Sequence, residues 1–109
     1  MKQLASRVPL VPHVEATLKN GLHVVCIPRS SVEQAVMVLH IRVGSRFETV
    51  ENNGISHFLE HMLFRGTREH PTAHEFNLAV EELGGTLQAA TRADFTTYEL
   101  TVPPEHAAE

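Results

Sequence analysis

Cysteine is nearly absent from this 109-residue chain, which carries Cys26 alone, and a single thiol can form no disulfide within it. Cys26 lies in the apolar run Val24-Val25-Cys26-Ile27 and is expected to be a small buried hydrophobe. No stretch approaches the roughly 20 apolar residues that a membrane span requires. The opening Met1-Lys2-Gln3-Leu4-Ala5-Ser6-Arg7 also lacks the apolar centre of a secretory signal. Together these absences predict a soluble, cytoplasmic protein with no membrane partner. Basic stripes are missing too. The 9 Lys and Arg are scattered among 13 Asp and Glu, for a formal net charge of -4, which speaks against nucleic acid as a partner. Internal repeats and low-complexity tracts are absent.

What is present is the composition of an ordinary globular domain, with 42% hydrophobic and 20% charged residues, 6 Gly and 6 Pro. The length sets one domain as the ceiling. Histidine stands out, with 8 in the chain. A leader over about residues 1–13 precedes alternating Val14-Glu15-Ala16-Thr17-Leu18-Lys19, then Asn20-Gly21, then Leu22-His23-Val24-Val25-Cys26-Ile27. That pattern predicts a two-residue hairpin, since Asn-Gly tolerates positive φ. Ala35 to Val43 is a nearly continuous apolar, β-branched run that predicts a central strand buried on most of its surface. A helix is expected from Asn53 as its cap to a stop at Gly66, burying Ile55, Phe58, Leu59, Met62 and Leu63 at the three-and-four spacing of one face. Thr72-Ala73-His74-Glu75 fits a capping box that opens a second helix, which buries Phe76, Ala79, Val80 and Leu83. Strands over Thr86–Thr91 and Thr96–Val102 follow, joined by a turn at Ala93-Asp94. The ending from Pro103 reads as the first turn of another helix, so residues 1–109 are expected to be a single partial domain.

On the first helix His57 and His61 are four apart, so their imidazoles project from one face, as two ligands of a tetrahedral zinc must. Glu60 borders that face. A carboxylate there can take the proton from a water that attacks a carbonyl polarised by the metal. The order HxxEH reverses the more familiar HExxH and keeps the same residue types. The chemistry indicated is metal-assisted hydrolysis; the competing reading is a solvated helix that happens to carry two histidines. His13, His23, His40, His70, His74 and His106 have no comparable spacing and read as surface or strand residues, with Arg65 and Arg68 as solvated charges.

Gly44-Ser45-Arg46-Phe47-Glu48, Asn52-Asn53-Gly54, His57 through Thr67, Glu82-Leu83-Gly84-Gly85 and the strands around Ala89 to Tyr98 form a combination that resembles the amino-terminal signature of the pitrilysin, insulysin and mitochondrial processing peptidase family. The resemblance runs from about Leu18 to Val102. It implies zinc as cofactor, His57 and His61 as metal ligands and Glu60 as general base. It also implies an α+β fold in which helices pack on one face of a mixed or antiparallel sheet. Family members take a third ligand, a Glu, from a helix well downstream of the motif, so the chain would be a truncated metallopeptidase domain. Glu75, Glu81, Glu82 and Glu99 match no such position. Gln88-Ala89 stands where the family often has Asn-Ala, and the strand Thr86–Thr91 is the expected edge for a bound peptide. The implied partners are a peptide or protein substrate and a homologous domain or subunit. The implied activity is that of an endopeptidase, with a non-catalytic subunit or scaffold as the alternative.

Overall fold

The computed structural model describes residues 11–108, so most of the expected leader lies outside the described residues. The chain divides into two compact units between Val32 and Glu33.

The first unit is a hairpin of β1 (Val14–Thr17) and β2 (His23–Cys26), antiparallel, with Val14 opposite Cys26 and Thr17 opposite His23. Its loop is one residue longer than expected. The Leu18 amide donates to the Leu22 carbonyl at 2.8 Å and the Gly21 amide to Leu18 at 2.9 Å, which encloses Lys19, Asn20 and Gly21. Gly21, at φ 87, takes the left-handed position that such a three-residue loop requires. The Asn20 side chain accepts from the Leu22 amide at 3.0 Å. Every strand residue of the hairpin is exposed, and so is Cys26. The expectation of a buried thiol is therefore incorrect here, because a two-stranded ribbon has no second layer of its own to cover either face.

In the second unit three antiparallel strands stand in the order β3 (Ala35–Ile41), β5 (Thr96–Val102), β4 (Thr86–Thr91). Ala35 pairs with Val102 and Ile41 with Thr96, while Thr86 pairs with Thr101 and Thr91 with Thr96. Helices α1 (Ile55–Leu63) and α2 (Ala73–Glu82) pack against β4. This is the expected α+β architecture, with a wholly antiparallel sheet. The most buried side chains, Val102 and Thr96 at 1% exposure each, sit at the two ends of β5. The middle strand is thus β5, not β3. β3 is an edge among the described residues and its apolar side chains are largely exposed, since side chains project from the faces of the sheet and the helices pack on β4 rather than on β3.

The helices show why local signals were read correctly in one case and not in the other. At α2, the Thr72 hydroxyl accepts from the Glu75 amide at 3.2 Å and the Glu75 carboxylate accepts from the Thr72 amide at 3.0 Å, the reciprocal arrangement expected of a capping box. Phe76, Ala79, Val80 and Leu83 are half-buried, and Phe76 meets Phe64 edge to face at 6.4 Å. At α1, Asn53 is not the cap. Gly54 is, at φ 92, with no side-chain cap of its own. Nor is the apolar face of α1 buried: Phe58 is 61% and Leu59 55% exposed. The face turned inward carries buried Ser56 and half-buried Glu60 and Phe64, because the β4 residues it meets include a hydroxyl, at Thr91, that pairs with a carboxylate. α1 ends at Leu63, and Gly66 lies beyond it at φ 132.

Candidate active site

The site begins at a close approach of backbone to backbone. Gly44 is buried and extended, with φ 168. A Cβ there would stand 2.2 Å from the Arg92 carbonyl oxygen, so only glycine lets residues 44–47 lie against the β4–β5 turn. The contact is then fastened by polar groups. The Arg46 amide donates to the Ala93 carbonyl at 2.9 Å, and its guanidinium Nε meets Asp94 Oδ1 at 2.7 Å.

Glu48 follows the short 3-10 turn Ser45–Phe47 and supplies the cap that α1 lacks. Its Oε2 accepts from the Gly54 amide at 2.7 Å and its Oε1 from the Ser56 amide at 2.9 Å. These free N–H groups carry the positive end of the helix dipole. The Gly54 amide, then the Ser56 hydroxyl and amide, hold the Glu48 carboxyl below the ordinary carboxylate range.

One residue further on, the spacing of four brings the two histidines together: His57 Nε2 and His61 Nε2 lie 2.9 Å apart, with ring centroids separated by 4.6 Å. Two nitrogens each about 2.0–2.1 Å from one tetrahedral zinc stand about 3.3 Å apart, so the pair fits zinc with a shift of a few tenths of an ångström. Both rings are exposed. No group of three or more His, Cys, Asp or Glu in a metal-holding arrangement occurs among the described residues.

Glu60 lies on the inward side of α1, where Oε2 accepts a hydrogen bond from the Thr91 hydroxyl at the end of β4. The Thr96 hydroxyl in turn donates to the Val43 carbonyl at 3.1 Å. Burial, and secondarily the charge of Glu60, push the Tyr98 hydroxyl upward. His57, Glu60, Glu48, Gly54, Thr91 and Arg92 are among the residues lining a cleft of about 500 Å³.

The structure thus brings His57, His61 and Glu60 into one neighbourhood. Gln88 lies exposed on β4 opposite Glu99. Glu75, Glu81, Glu82 and Glu99 are exposed and stay apart from the pair, with Glu75 engaged in its capping box. His40 packs edge-on against Phe95 at 5.7 Å, and His13 and His23 pair with Glu15 at 2.8 and 3.4 Å. Sequence reading assigned no role to Glu48 or Thr91. Each acts across a gap that no helical or strand period spans.

A family model described as Insulinase (Peptidase family M16) matches residues 23–109. The chain belongs to peptidase family M16. It is 41% identical over 91 residues to a protein of Bacillus subtilis named an uncharacterized zinc protease, a match covering 84% of this chain and 22% of that one. It is 40% identical over 98 residues to the mitochondrial-processing peptidase subunit beta of Rattus norvegicus, covering 88% and 20%. The crystal structure of a protease from Helicobacter pylori superposes with a TM-score of 0.81 at 35% identity, covering 88% of this chain and 23% of that one. This M16 chain therefore spans about a fifth of the length of the relatives it matches. No helix among its described residues is long and apolar enough to cross a membrane.

Proposed function

We propose that the chain carries the metal-binding and proton-transfer part of a zinc-dependent endopeptidase, with His57 and His61 as metal ligands and Glu60 as general base. The observation that carries this reading is the 2.9 Å approach of the two Nε2 atoms, with His57 lining the same cleft as the Glu60 carboxylate. Zinc, when bound, supplies Lewis acidity at this position. The residues of the chain do the rest. His57 and His61 would hold the metal through Nε2. Glu60 accepts the proton of the water that attacks a peptide carbonyl, and the Thr91 hydroxyl keeps its carboxylate aimed by holding one oxygen.

Names of relatives that include zinc protease and processing peptidase subunit support the choice of metal and reaction. In this reading the third protein ligand comes from sequence that relatives carry beyond the matched part, and residues 1–109 are one partial peptidase domain of a cytoplasmic protein. The substrate is a peptide or protein segment that adds to the edge of β4, and the partner is a homologous domain or subunit. A non-catalytic subunit, the alternative, would have no use for Glu60 beside two ligands.

Elemental analysis tests the metal. Zinc bound by the chain and lost from the His57→Ala, His61→Ala double variant is the expected result, and zinc retained by that variant would place the metal elsewhere. In protein extended by the downstream sequence, Glu60→Gln is expected to abolish peptide hydrolysis while zinc content stays the same. Loss of zinc from Glu60→Gln would overturn the division of roles.

A further inference from the structure

We propose that Glu48 is a positioning residue for the metal pair, an inference that rests on the ligand roles given above to His57 and His61. The reason lies in what does not hold α1. Its apolar side chains, Phe58 and Leu59 foremost, are exposed, so hydrophobic packing on that face does not set the helix's rotation about its axis. Its N-cap, Gly54, has no side chain to close the first turn and sits at φ 92, a conformation that leaves the entry of the chain free to vary unless something fixes it.

Glu48 fixes it. One carboxylate oxygen takes the Gly54 amide at 2.7 Å and the other takes the Ser56 amide at 2.9 Å. Two bonds from one planar group to two successive free donors set both the tilt and the rotation of the first turn. His57 is the next residue, and four residues on its ring meets that of His61. The carboxylate is itself anchored, because it follows the turn that Arg46 ties to the Ala93 carbonyl and to Asp94. Polar contacts thus tie the β4–β5 turn to residue 46 and Glu48 to the first turn of α1, ending one residue before His57, and the hydroxyl of Thr91 holds the same helix one turn later, at Glu60. The metal ligands take their orientation from the sheet by way of hydrogen bonds.

The test uses the 109-residue chain with zinc alone, titrated in competition with a chromophoric chelator, for the parent, Glu48→Ala and Glu48→Gln. Groups that orient ligands without touching the metal typically change affinity 10- to 100-fold, so Glu48→Ala is expected to weaken zinc binding about tenfold or more. Glu48→Gln keeps one acceptor oxygen and is expected to fall between. Amide exchange in β4 and β5 should be unchanged in both variants. An affinity for Glu48→Ala within about twofold of the parent overturns the proposal, and so does a loss that follows loosening of the β5 amides, since that is a general structural defect. Should the parent bind no zinc, or should binding survive the double histidine variant, the ligand roles fail. The question for Glu48 is then decided by the nuclear Overhauser contact between the His57 and His61 rings in the metal-free chain. Its disappearance in Glu48→Ala supports the positioning role, and its persistence overturns it.

Discussion

Replacing Gly44 by alanine isolates the contact on which the cleft is built. Its φ of 168 is extended backbone open to any residue, so the substitution carries no conformational penalty and its whole cost is steric. The new Cβ would meet the Arg92 carbonyl oxygen at 2.2 Å and that of Ala93 at 2.6 Å, where a carbon and an oxygen in ordinary contact stand roughly 1 Å further apart. Both neighbours are main chain, so no side chain can swing away. The β4–β5 turn must retreat by about that distance, which stretches the 2.9 Å bond from the Arg46 amide to Ala93 beyond hydrogen-bond range. Overpacking costs about 1–3 kcal/mol and the lost bond about 0.5–1.5 kcal/mol, against about 0.4–1 kcal/mol returned by the stiffer unfolded chain. The net expectation is a loss of about 2 kcal/mol, within limits of roughly 0.5–4 kcal/mol. Urea unfolding followed by circular dichroism should show a lower midpoint with an unchanged slope. A loss below about 0.5 kcal/mol would refute the reasoning, because it would mean that the two turns do not touch as described.

Two further predictions concern the carboxylates. Thr72→Ala removes the hydroxyl side of the α2 capping box and should cost about 1 kcal/mol in the same assay; no measurable change would show that the box contributes nothing to the folded state. Glu48, Glu51 and Glu75 are all held below their ordinary value of 4.5, by the Gly54 amide and Ser56, by the Thr49 hydroxyl and by Thr72 respectively. A carboxyl depressed in the folded state adds stability that is present above its unfolded pKa and disappears as pH falls through the folded one. The urea midpoint should therefore hold down to about pH 5 and decline below about pH 4.5, less steeply in Thr72→Ala. A midpoint indifferent to acid would remove these three groups from the account.

Much of this was legible in the chain because the signals are local. A hairpin around Asn20-Gly21, the capping box at Thr72, the strand pair Thr86–Thr91 and Thr96–Val102, and two histidines one turn apart are each specified within a few residues. The misreadings share one cause. Burial is decided by what lies opposite a surface, and no periodicity states that. The three-and-four apolar spacing of α1 and the apolar run of β3 both predict burial, yet α1 turns Ser56 and Glu60 inward and the helices pack on β4 rather than on β3. Cys26 was misjudged for the same reason. At the start of α1, Asn53 has a capping residue type but lies one position before the cap, Gly54; a carboxylate from Glu48 takes the free donors instead, and a side chain arriving from before the turn leaves no mark in a capping pattern.

The strand order β3-β5-β4 has a consequence for how the cleft comes into being. β4 and β5 are joined by a tight turn in which the Arg92 amide bonds to the Phe95 carbonyl, so their registry needs only neighbouring chain. Ile41 must instead find Thr96, closing a loop that contains both helices, and contacts so distant along the sequence form late and at the greatest entropic expense. Only the four-residue spacing of the imidazoles is local; the wall that Gly44 builds against Arg92, and with it the placing of Glu48 at the start of α1, depends on that slow closure. In stopped-flow refolding, Gly44→Ala is expected to slow the folding of the chain, and an unchanged folding rate would show that this contact forms after the rate-limiting step.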